Sequence, residues 1–185
     1  SPYAVAGQEQ QRPAPEGGGM FRVADLRFYA RLPDGVTERG AWVMALDSKF
    51  KETTTGAYAC ITVWARYEAK FYLVDVWRER AGTLATVAAI QQLAALYPKC
   101  HTKIVEEAAN GASVCELLEG KLGGVKRVRP TGGKESRAHA LSAYVETHDV
   151  LLPEAAPWVI AFRAEMESFP SGATADQIDS SAHAV

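Results

Sequence analysis

Three acidic residues stand at the ends of predicted buried elements, where a charged side chain is unexpected. Asp47 directly follows an apolar run of six residues, Glu106 follows a short apolar strand, and Asp176 lies in the first turn of the last predicted helix. If the two strands are parallel neighbours, they lie ~4.8 Å apart and their terminal carboxylates face one another. A helix that delivers Asp176 to the same end completes a cluster of three carboxylates.

A carboxylate cluster of this kind has a characteristic chemistry. Carboxylates held this close repel each other and raise each other's pKa, and a divalent cation removes that penalty. Mg²⁺ prefers oxygen ligands and retains bound waters. Two such ions roughly 3.5–4 Å apart can activate water and stabilise the leaving oxygen of a phosphodiester. The joint placement of Asp47, Glu106 and Asp176 therefore indicates metal-dependent phosphodiester hydrolysis.

Each of the three residues also has an ordinary structural explanation. Asp47 can be a strand-end residue with its side chain in water, and an acid at position 176 favours the helix macrodipole. Glu106 can be half of a surface pair with Glu107, and Glu107 can equally be the inward member, because the sequence does not show which face of this strand is buried. Taken singly, each residue favours the structural explanation, whereas their joint placement favours the functional one.

The elements that must position these residues follow from hydrophobic periodicity. Residues 41–46 are apolar at every position, as expected of a central strand covered on both faces. Two β-branched and aromatic runs, 58–67 and 71–77, predict a hairpin. The other predicted elements are helix 83–97, strand 103–105, a short helix opened by a capping box at Ser113 and Glu116, strand 125–128, helix 136–147, an extended piece at 150–153, a helix with Pro157 in its first turn, and a last helix opened by a capping box at Thr174 and Gln177.

This order predicts an α/β fold. Its sheet is mixed, antiparallel in the first meander and parallel elsewhere, and is flanked by helices. Residues 1–40 are interpreted as a linker or arm with an N-terminal extension, because 1–19 are rich in Gln and Pro and end in a triple glycine. Residues 41–185 are interpreted as the folded domain.

Composition disfavours several classes of protein. The chain has 185 residues, 48% of them hydrophobic, and a net charge of −2, so it can form one domain with a core and has no global basic field. No apolar run approaches the ~20 residues of a membrane span, and the polar N-terminus lacks a secretory signal. The three cysteines (Cys60, Cys100 and Cys115) form no CxxC pair, which fits a reducing cytosol.

Six segments, in this order along the chain, resemble the C-terminal nuclease domain of the large terminase subunit of tailed bacteriophages, a member of the ribonuclease H-like superfamily. Residues 46–58 and 104–111 resemble the segments that carry its first and second catalytic acids, and 176–179 (DQID) resembles its closing motif. The other three are 10–21, which resembles the connection to an ATPase motor, 72–78 (YLVDVWR), which resembles its third strand, and 130–137 (PTGGKESR), which resembles its loop-to-helix Lys/Arg motif.

The resemblance implies a ribonuclease H-like fold and a divalent-metal-dependent DNA endonuclease that cleaves double-stranded DNA during viral genome packaging. It implies that Asp47, Glu106 and Asp176 are catalytic metal ligands, with two ions of Mg²⁺ or Mn²⁺ as the cofactor. The implied partners are double-stranded DNA, an ATPase motor domain in the full-length chain, the portal protein and the small terminase subunit. The implied location is the cytoplasm of the host bacterium, with no membrane involved.

One departure from the family concerns the closing motif. The family usually has two adjacent acids, often after a His, where this chain has Thr174, Ala175 and Asp176. Ala175 therefore removes one carboxylate. Asp179 and His183 share a helix face with Asp176, and either can substitute for the missing carboxylate. Asp179 is the second choice of ligand, and His183 is predicted to be a surface or partner-facing histidine.

The most one-sided charge in the chain lies at 121–137, where six basic residues stand against one acid. A local basic run supplies sequence-independent attraction for DNA phosphates, although a solvated strand and helix face explains it equally well. Lys134 and Arg137 are predicted to bind DNA, because they flank a glycine pair at a helix entrance where backbone donors also meet an anion. Lys49 and Lys51 are further candidates.

Two other catalytic motifs are missing, and two alternative functions stay open. Gly133-Lys134 lacks the upstream glycine and the Ser or Thr of a P-loop, so the chain shows no ATPase of its own. No GxSxG nucleophile elbow occurs. The alternatives are a junction resolvase- or transposase-like nuclease of the same superfamily, and a non-catalytic module that docks onto DNA or a portal protein.

Overall fold

Seven strands form one mixed sheet with helices on both faces. The computed structural model describes residues 19–48, 58–107 and 111–185. After a 3₁₀ turn at Val23–Asp25, the elements in chain order are β1 (Arg27–Tyr29), α1 (Asp34–Arg39), β2 (Ala41–Ser48), β3 (Ala59–Tyr67), β4 (Lys70–Glu79), α2 (Thr83–Leu96), β5 (Thr102–Glu106), α3 (Gly111–Leu118), β6 (Val125–Val128), α4 (Lys134–Glu146), β7 (Val150–Pro153), α5 (Val159–Ser168) and α6 (Asp176–Ala184).

The strand order across the sheet is β1-β7-β4-β3-β2-β5-β6. The predicted hairpin is β3 and β4, and with β2 it forms an antiparallel meander. All other neighbouring strands are parallel, and parallel neighbours need crossover connections, which helices provide here. The prediction of a mixed sheet flanked by helices is confirmed.

Strand β2 is covered on both faces, which explains its unbroken apolar run. Met44 and Leu46 pack with Ile90 of α2 and Leu118 of α3. Val43 points the other way and packs against the cluster beneath α4, α5 and α6. Alternate side chains of one strand therefore enter two separate apolar layers.

The second layer holds the largest buried side chains. Trp64 of β3, Phe162 of α5 and Phe169 are each at most 1% exposed, and they pack with Leu141 of α4 and Ile178 of α6. Aromatic side chains of this size contribute strongly to a core when fully buried. This cluster fixes the three C-terminal helices against the sheet.

Residues 19–40 also contribute to this layer. β1 runs parallel to β7, with Arg27 opposite Leu151, and Phe21 and Leu26 are buried in the cluster beneath α4, α5 and α6. The packed part of the chain therefore begins before Ala41. The division into domains at residues 40 and 41 stays a prediction, and the predicted linker up to residue 18 lies outside the described residues.

Two helices begin earlier than the sequence predicts. α3 begins at Gly111, so Ser113 lies inside its first turn instead of preceding it, and the predicted capping box is wrong. α4 begins at Lys134 with Gly133 before it, two residues ahead of the predicted start. Helix ends are weakly encoded by side-chain pattern, because many residue types tolerate the first turn. None of the helices in the described part of the chain has the length and hydropathy of a membrane span.

We predict that Gly124→Ala destabilises the fold strongly. Gly124 has φ +76°, and a Cβ there would lie 1.7 Å from the carbonyl oxygen of His101. The carbonyl oxygen of Gly124 also accepts a hydrogen bond from the backbone N–H of Lys103 (2.8 Å). The left-handed conformation and the backbone clash together cost more than about 2 kcal/mol of unfolding free energy, measured by urea denaturation. Gly123→Ala is the matched control, because a Cβ there meets nothing within 4 Å. Equal stability of the two variants would contradict this prediction.

Candidate functional site

Asp47 and Glu106 lie side by side at one edge of the sheet. β2 and β5 are parallel, and their last paired residues are Leu46 and Val105, so Asp47 and Glu106 occupy the next position on each strand. Asp47 is fully buried and Glu106 is 3% exposed. Since Leu46 and Val105 both point into the layer under α2 and α3, strand alternation directs the two carboxylates to the opposite face, beneath α6.

Glu107 is not the inward member of the Glu-Glu pair. Its carboxylate binds Arg129 (3.0 Å) and lies 3.8 Å from Arg127. Arg127 also lies 3.9 Å from Glu119, which is 79% exposed. Part of the basic run therefore pairs with local acids, away from Glu106. Only tertiary packing distinguishes the two glutamates, since their sequence surroundings are nearly the same.

Helix α6 crosses the sheet directly above these carboxylates. The Ser180 hydroxyl donates to the backbone carbonyl of Ala45 (2.8 Å) and lies 2.9 Å from the Thr62 hydroxyl. Ser180 and its neighbour Ser181 are fully buried. Small side chains let the helix backbone approach the sheet closely, and the buried hydroxyls keep hydrogen-bond partners. This contact places the start of α6 near β4 and its end near β5.

Asp176, the third predicted ligand, is buried at the start of α6 and contacts an arginine. Asp176 is 7% exposed, and its Oδ2 lies 3.3 Å from Nη2 of Arg78 on β4. Arg78 pairs across the sheet with Cys60, and Cys60 pairs with Asp47. Asp47 and Glu106 therefore lie beneath α6, and Asp176 lies at the start of that helix, at the same end of the sheet. Ala175 packs into the apolar cluster, so the position of the missing acid faces the core.

A residue that the sequence analysis missed, Glu165 of α5, caps α6. Its Oε1 accepts hydrogen bonds from the backbone N–H groups of Gln177 (2.7 Å) and Ile178 (3.2 Å), and its Oε2 accepts from the Thr174 hydroxyl (3.2 Å) and the Gln177 side-chain amide (3.1 Å). The predicted capping box at Thr174 and Gln177 is therefore wrong: Ala175 is the N-cap, and α6 begins at Asp176, one residue later than the box predicts. A carboxylate at a helix N-terminus also favours the macrodipole.

Glu165 is 4% exposed and lies 3.8 Å from Arg78. Arg78 therefore contacts both the cap of α6 and the first residue of α6. The sequence signal for Glu165 is its position on the apolar face of α5, three residues after Phe162 and one before Met166. A glutamate on such a face needs a buried partner.

Asp179, on α6, lies next to the two predicted DNA-binding residues, Lys134 and Arg137. It is 1% exposed, and its carboxylate lies 3.7 Å from Lys134 and 3.6 Å from Arg137. The Lys134 side chain is 49% exposed, whereas that of Arg137 is 16% exposed and also donates to the Gly132 carbonyl. The structure thus brings Lys134 and Arg137 to the same helix as Asp176. Lys49 and Lys51 lie outside the described residues.

The prediction of a surface position for His183 is wrong. Its Nε2 lies 2.5 Å from Oε2 of Glu106, and its side chain is 9% exposed. Its spacing of seven residues from Asp176 was the available signal. The helix carries it to β5, where it meets a predicted metal ligand.

The charges around the site act on a buried thiol. Burial raises the pKa of Cys60 well above its usual value, and the negative charges of Glu165, Asp47 and Asp176 raise it further. Arg78 opposes this effect with its positive charge. The raised pKa favours the neutral thiol of Cys60 over the thiolate.

Carboxylate oxygens suit a hard divalent cation, but the side chains of the described residues do not form a complete set of metal ligands. Carboxylate oxygens are the ligands that Mg²⁺ prefers. Across the described ranges, no three His, Cys, Asp or Glu side chains are spaced to hold a metal ion. Glu106, Asp176 and Asp179 instead contact His183, Arg78 and the Lys134–Arg137 pair respectively. The positive charges of Arg78, Lys134 and Arg137 compensate the buried negative charge of Asp176 and Asp179.

Comparison with known proteins identifies relatives of this architecture. A family model described as the terminase RNaseH-like domain matches residues 44–185. The large terminase nuclease of thermophilic phage G20c with bound cobalt is 13% identical, with a TM-score of 0.69, over 91% of this chain and 96% of that chain. The same nuclease with bound magnesium is 14% identical, with a TM-score of 0.62, over 88% of this chain and 86% of that chain. No curated protein matches.

A longer structure matches over part of its length. The large terminase of a second thermophilic bacteriophage is 12% identical with a TM-score of 0.59, and the match covers 78% of this chain and 36% of that chain. The present chain thus spans about a third of that protein. At these identities the likeness is one of fold, and the ribonuclease H-like fold class predicted from the sequence is confirmed.

We predict that Glu165→Gln lowers the unfolding free energy by about 1–3 kcal/mol, because a buried charged acceptor is lost and Arg78 loses one of its two carboxylates. Glu167→Gln makes the same chemical change on the exposed face of the same helix and should change stability by less than about 0.5 kcal/mol. Urea denaturation followed by circular dichroism measures both. A Glu165→Gln variant as stable as Glu167→Gln would show that the cap does not hold α6.

Proposed function

The chain belongs to the terminase RNase H-like domain family, and we propose that it is a divalent-metal-dependent endonuclease that cleaves double-stranded DNA during viral genome packaging. The family assignment confirms the resemblance seen in the sequence. The observation that carries the proposal is the burial of Asp47 and Glu106 at adjacent ends of two parallel strands, with Asp176 above the same edge. Few structural reasons favour burying three carboxylates at one edge, because each buried charge is costly.

Asp47, Glu106 and Asp176 are the residues that would hold Mg²⁺ or Mn²⁺, in a site for two ions. When bound, ions of this class lower the pKa of an attacking water and stabilise the leaving oxygen of a phosphodiester. The nuclease neighbours carry cobalt or magnesium in their crystals, which supports a divalent-metal site in a fold of this kind. Asp179 is the second choice of ligand.

Residues of the chain orient this set of carboxylates. His183 contacts Glu106 and restricts its side chain, and Arg78 does the same for Asp176. Burial beneath α6 limits water around Asp47, which strengthens its interaction with a cation. Restricting the ligands before the cation arrives reduces the conformational entropy lost on binding.

Lys134 and Arg137 are proposed to hold the DNA backbone beside the carboxylates. The Lys134 side chain is half-exposed and can contact a phosphate directly. Arg137 is mostly buried and forms an ion pair with Asp179. Cations at this position offset the repulsion between DNA phosphates and the acidic centre. Arg127 and Arg129 contribute less, because Glu107 already pairs with both.

The assembly around this domain is proposed from the relatives. Since the match spans 36% of the longer large terminase, we place the chain after an ATPase motor domain in a full-length protein. The proposed partners are double-stranded DNA, the portal protein and the small terminase subunit, in the cytoplasm of the host bacterium. A resolvase- or transposase-like nuclease would differ by preferring branched DNA over linear duplex.

The second candidate function is a non-catalytic module that docks onto DNA or the portal. It is favoured by the basic partners of Glu106, Asp176 and Asp179, and by the lack of a three-ligand group among the described residues. Metal-dependent cleavage separates the two functions, since a docking module binds without cutting.

We predict that plasmid nicking with Mn²⁺ vanishes in EDTA and falls by about 100-fold or more in Asp47→Asn. The replacement keeps the shape of a buried side chain and removes its charge. Asp34→Asn, on the exposed helix α1, is the control and should nick as the wild type does. Nicking by Asp47→Asn at the wild-type rate would overturn the catalytic assignment.

Glu106 and Glu107 provide a second, matched test. We predict that Glu106→Gln weakens Mn²⁺ binding by about tenfold or more in the absence of DNA, because a ligand loses its charge. Glu107→Gln should bind Mn²⁺ nearly as the wild type does, since its carboxylate faces Arg129. Isothermal titration calorimetry measures both affinities. Equal losses in the two variants would mean that the cation binds elsewhere.

A further inference from the structure

Near the end of β4, two arginine side chains, those of Arg78 and Arg80, contact the same aromatic ring, that of Tyr58. The Cζ atom of Arg78 lies 3.8 Å from the centroid of the Tyr58 ring, and that of Arg80 lies 5.1 Å from it. Both distances are within the range of cation–π attraction. Tyr58 immediately precedes β3, and Arg80 immediately follows β4, so the ring and both guanidinium groups lie at the edge where Asp47 is found.

The two arginines differ in what their charge does. Arg78 is 20% exposed and contacts Asp176 and Glu165, so its charge is compensated inside the protein. Arg80 is exposed, and no carboxylate among the described residues forms an ion pair with it. The positive charge of Arg80 is therefore available to a ligand, while its contact with the Tyr58 ring limits the orientations of its guanidinium group.

The position of Arg80 relative to Asp47 follows from the strand register. Asp47 pairs with Cys60, and Cys60 pairs with Arg78. Two strand spacings of ~4.8 Å separate β2 from β4, so the Arg78 backbone lies about 10 Å from that of Asp47. Arg80 is two residues further on, past the end of the strand. One DNA strand carries a phosphate every ~3.4 Å of helix axis, so a duplex cut beside Asp47 has further phosphates within reach of Arg80.

We propose that Arg80, oriented by Tyr58, is a phosphate-binding residue for the backbone of double-stranded DNA, on a different element from Lys134 and Arg137. The inference rests on the proposed nuclease function and extends its DNA-binding surface to the β4 side of the carboxylates. Arginine suits this role, because its planar guanidinium can bind a phosphate through two parallel hydrogen bonds. The tyrosine ring reduces the side-chain entropy that such a contact costs.

The test is the salt dependence of binding to a duplex oligonucleotide, measured by fluorescence anisotropy in EDTA so that no cleavage occurs. Arg80→Gln should weaken binding about fivefold near 0.1 M salt and reduce the slope of log K against log salt by about one. Arg80→Lys keeps the charge and should restore the slope.

Arg66→Gln is the matched control. Arg66 is also exposed and also lies over an aromatic ring, 5.4 Å from the centroid of Phe71, but it is at the opposite end of the β3–β4 hairpin. This variant should bind with the wild-type affinity and the wild-type slope. Because both arginines are exposed, neither variant is expected to unfold.

The outcomes distinguish this inference from the proposed function. If Arg80→Gln matches the wild type in affinity and slope, or if Arg66→Gln loses as much as Arg80→Gln, the role of Arg80 is overturned, while Asp47-dependent nicking still supports the nuclease. A wild-type chain that does not bind duplex DNA overturns both. A loss of affinity and slope confined to Arg80→Gln, with Arg80→Lys restoring the slope, supports the inference.

Discussion

Compensation of buried negative charge is the constraint on which this structure depends. Five carboxylates at or beside one sheet edge are each at most 7% exposed, and removing an isolated charge from water costs several kcal/mol. The chain meets that cost with hydrogen-bond donors and with cations from β4 and α4. The buried carboxylates are those of Asp47, Glu106, Glu165, Asp176 and Asp179.

Arg78 and Glu165 link this compensation to the position of α6. Glu165 caps the helix, Arg78 contacts that cap, and Arg78 also holds Asp176 on the first turn of the helix. The same few contacts therefore stabilise the fold and orient a predicted ligand. Ser180 completes the attachment by bonding to β2. A shift of α6 would move Asp176 and His183 together, because they lie on one rigid helix.

The charges are arranged by depth. Carboxylates occupy the interior, partly buried cations such as Arg78 and Arg137 lie next to them, and the more exposed cations Lys134 and Arg80 lie at the surface. This arrangement would let an acidic centre approach a polyanion, because the outer cations meet the phosphates first. A net charge of −2 for the whole chain conceals it, since opposite charges cancel in the sum but not in space.

The sequence by itself determined the order of strands and helices from β2 onward, the mixed sheet and the three acids at element ends, because periodicity and β-branched runs act within one element. It did not predict β1 and α1, which are short and lie in the segment interpreted as an extension. Only the tertiary structure decided that Glu106 and not Glu107 turns inward and that His183 contacts it. The physical reason is distance along the chain: His183 and Glu106 are 77 residues apart, and Arg78 and Asp176 are 98 apart. Contacts between such distant residues depend on how helix and sheet faces pack, and no local pattern records that packing.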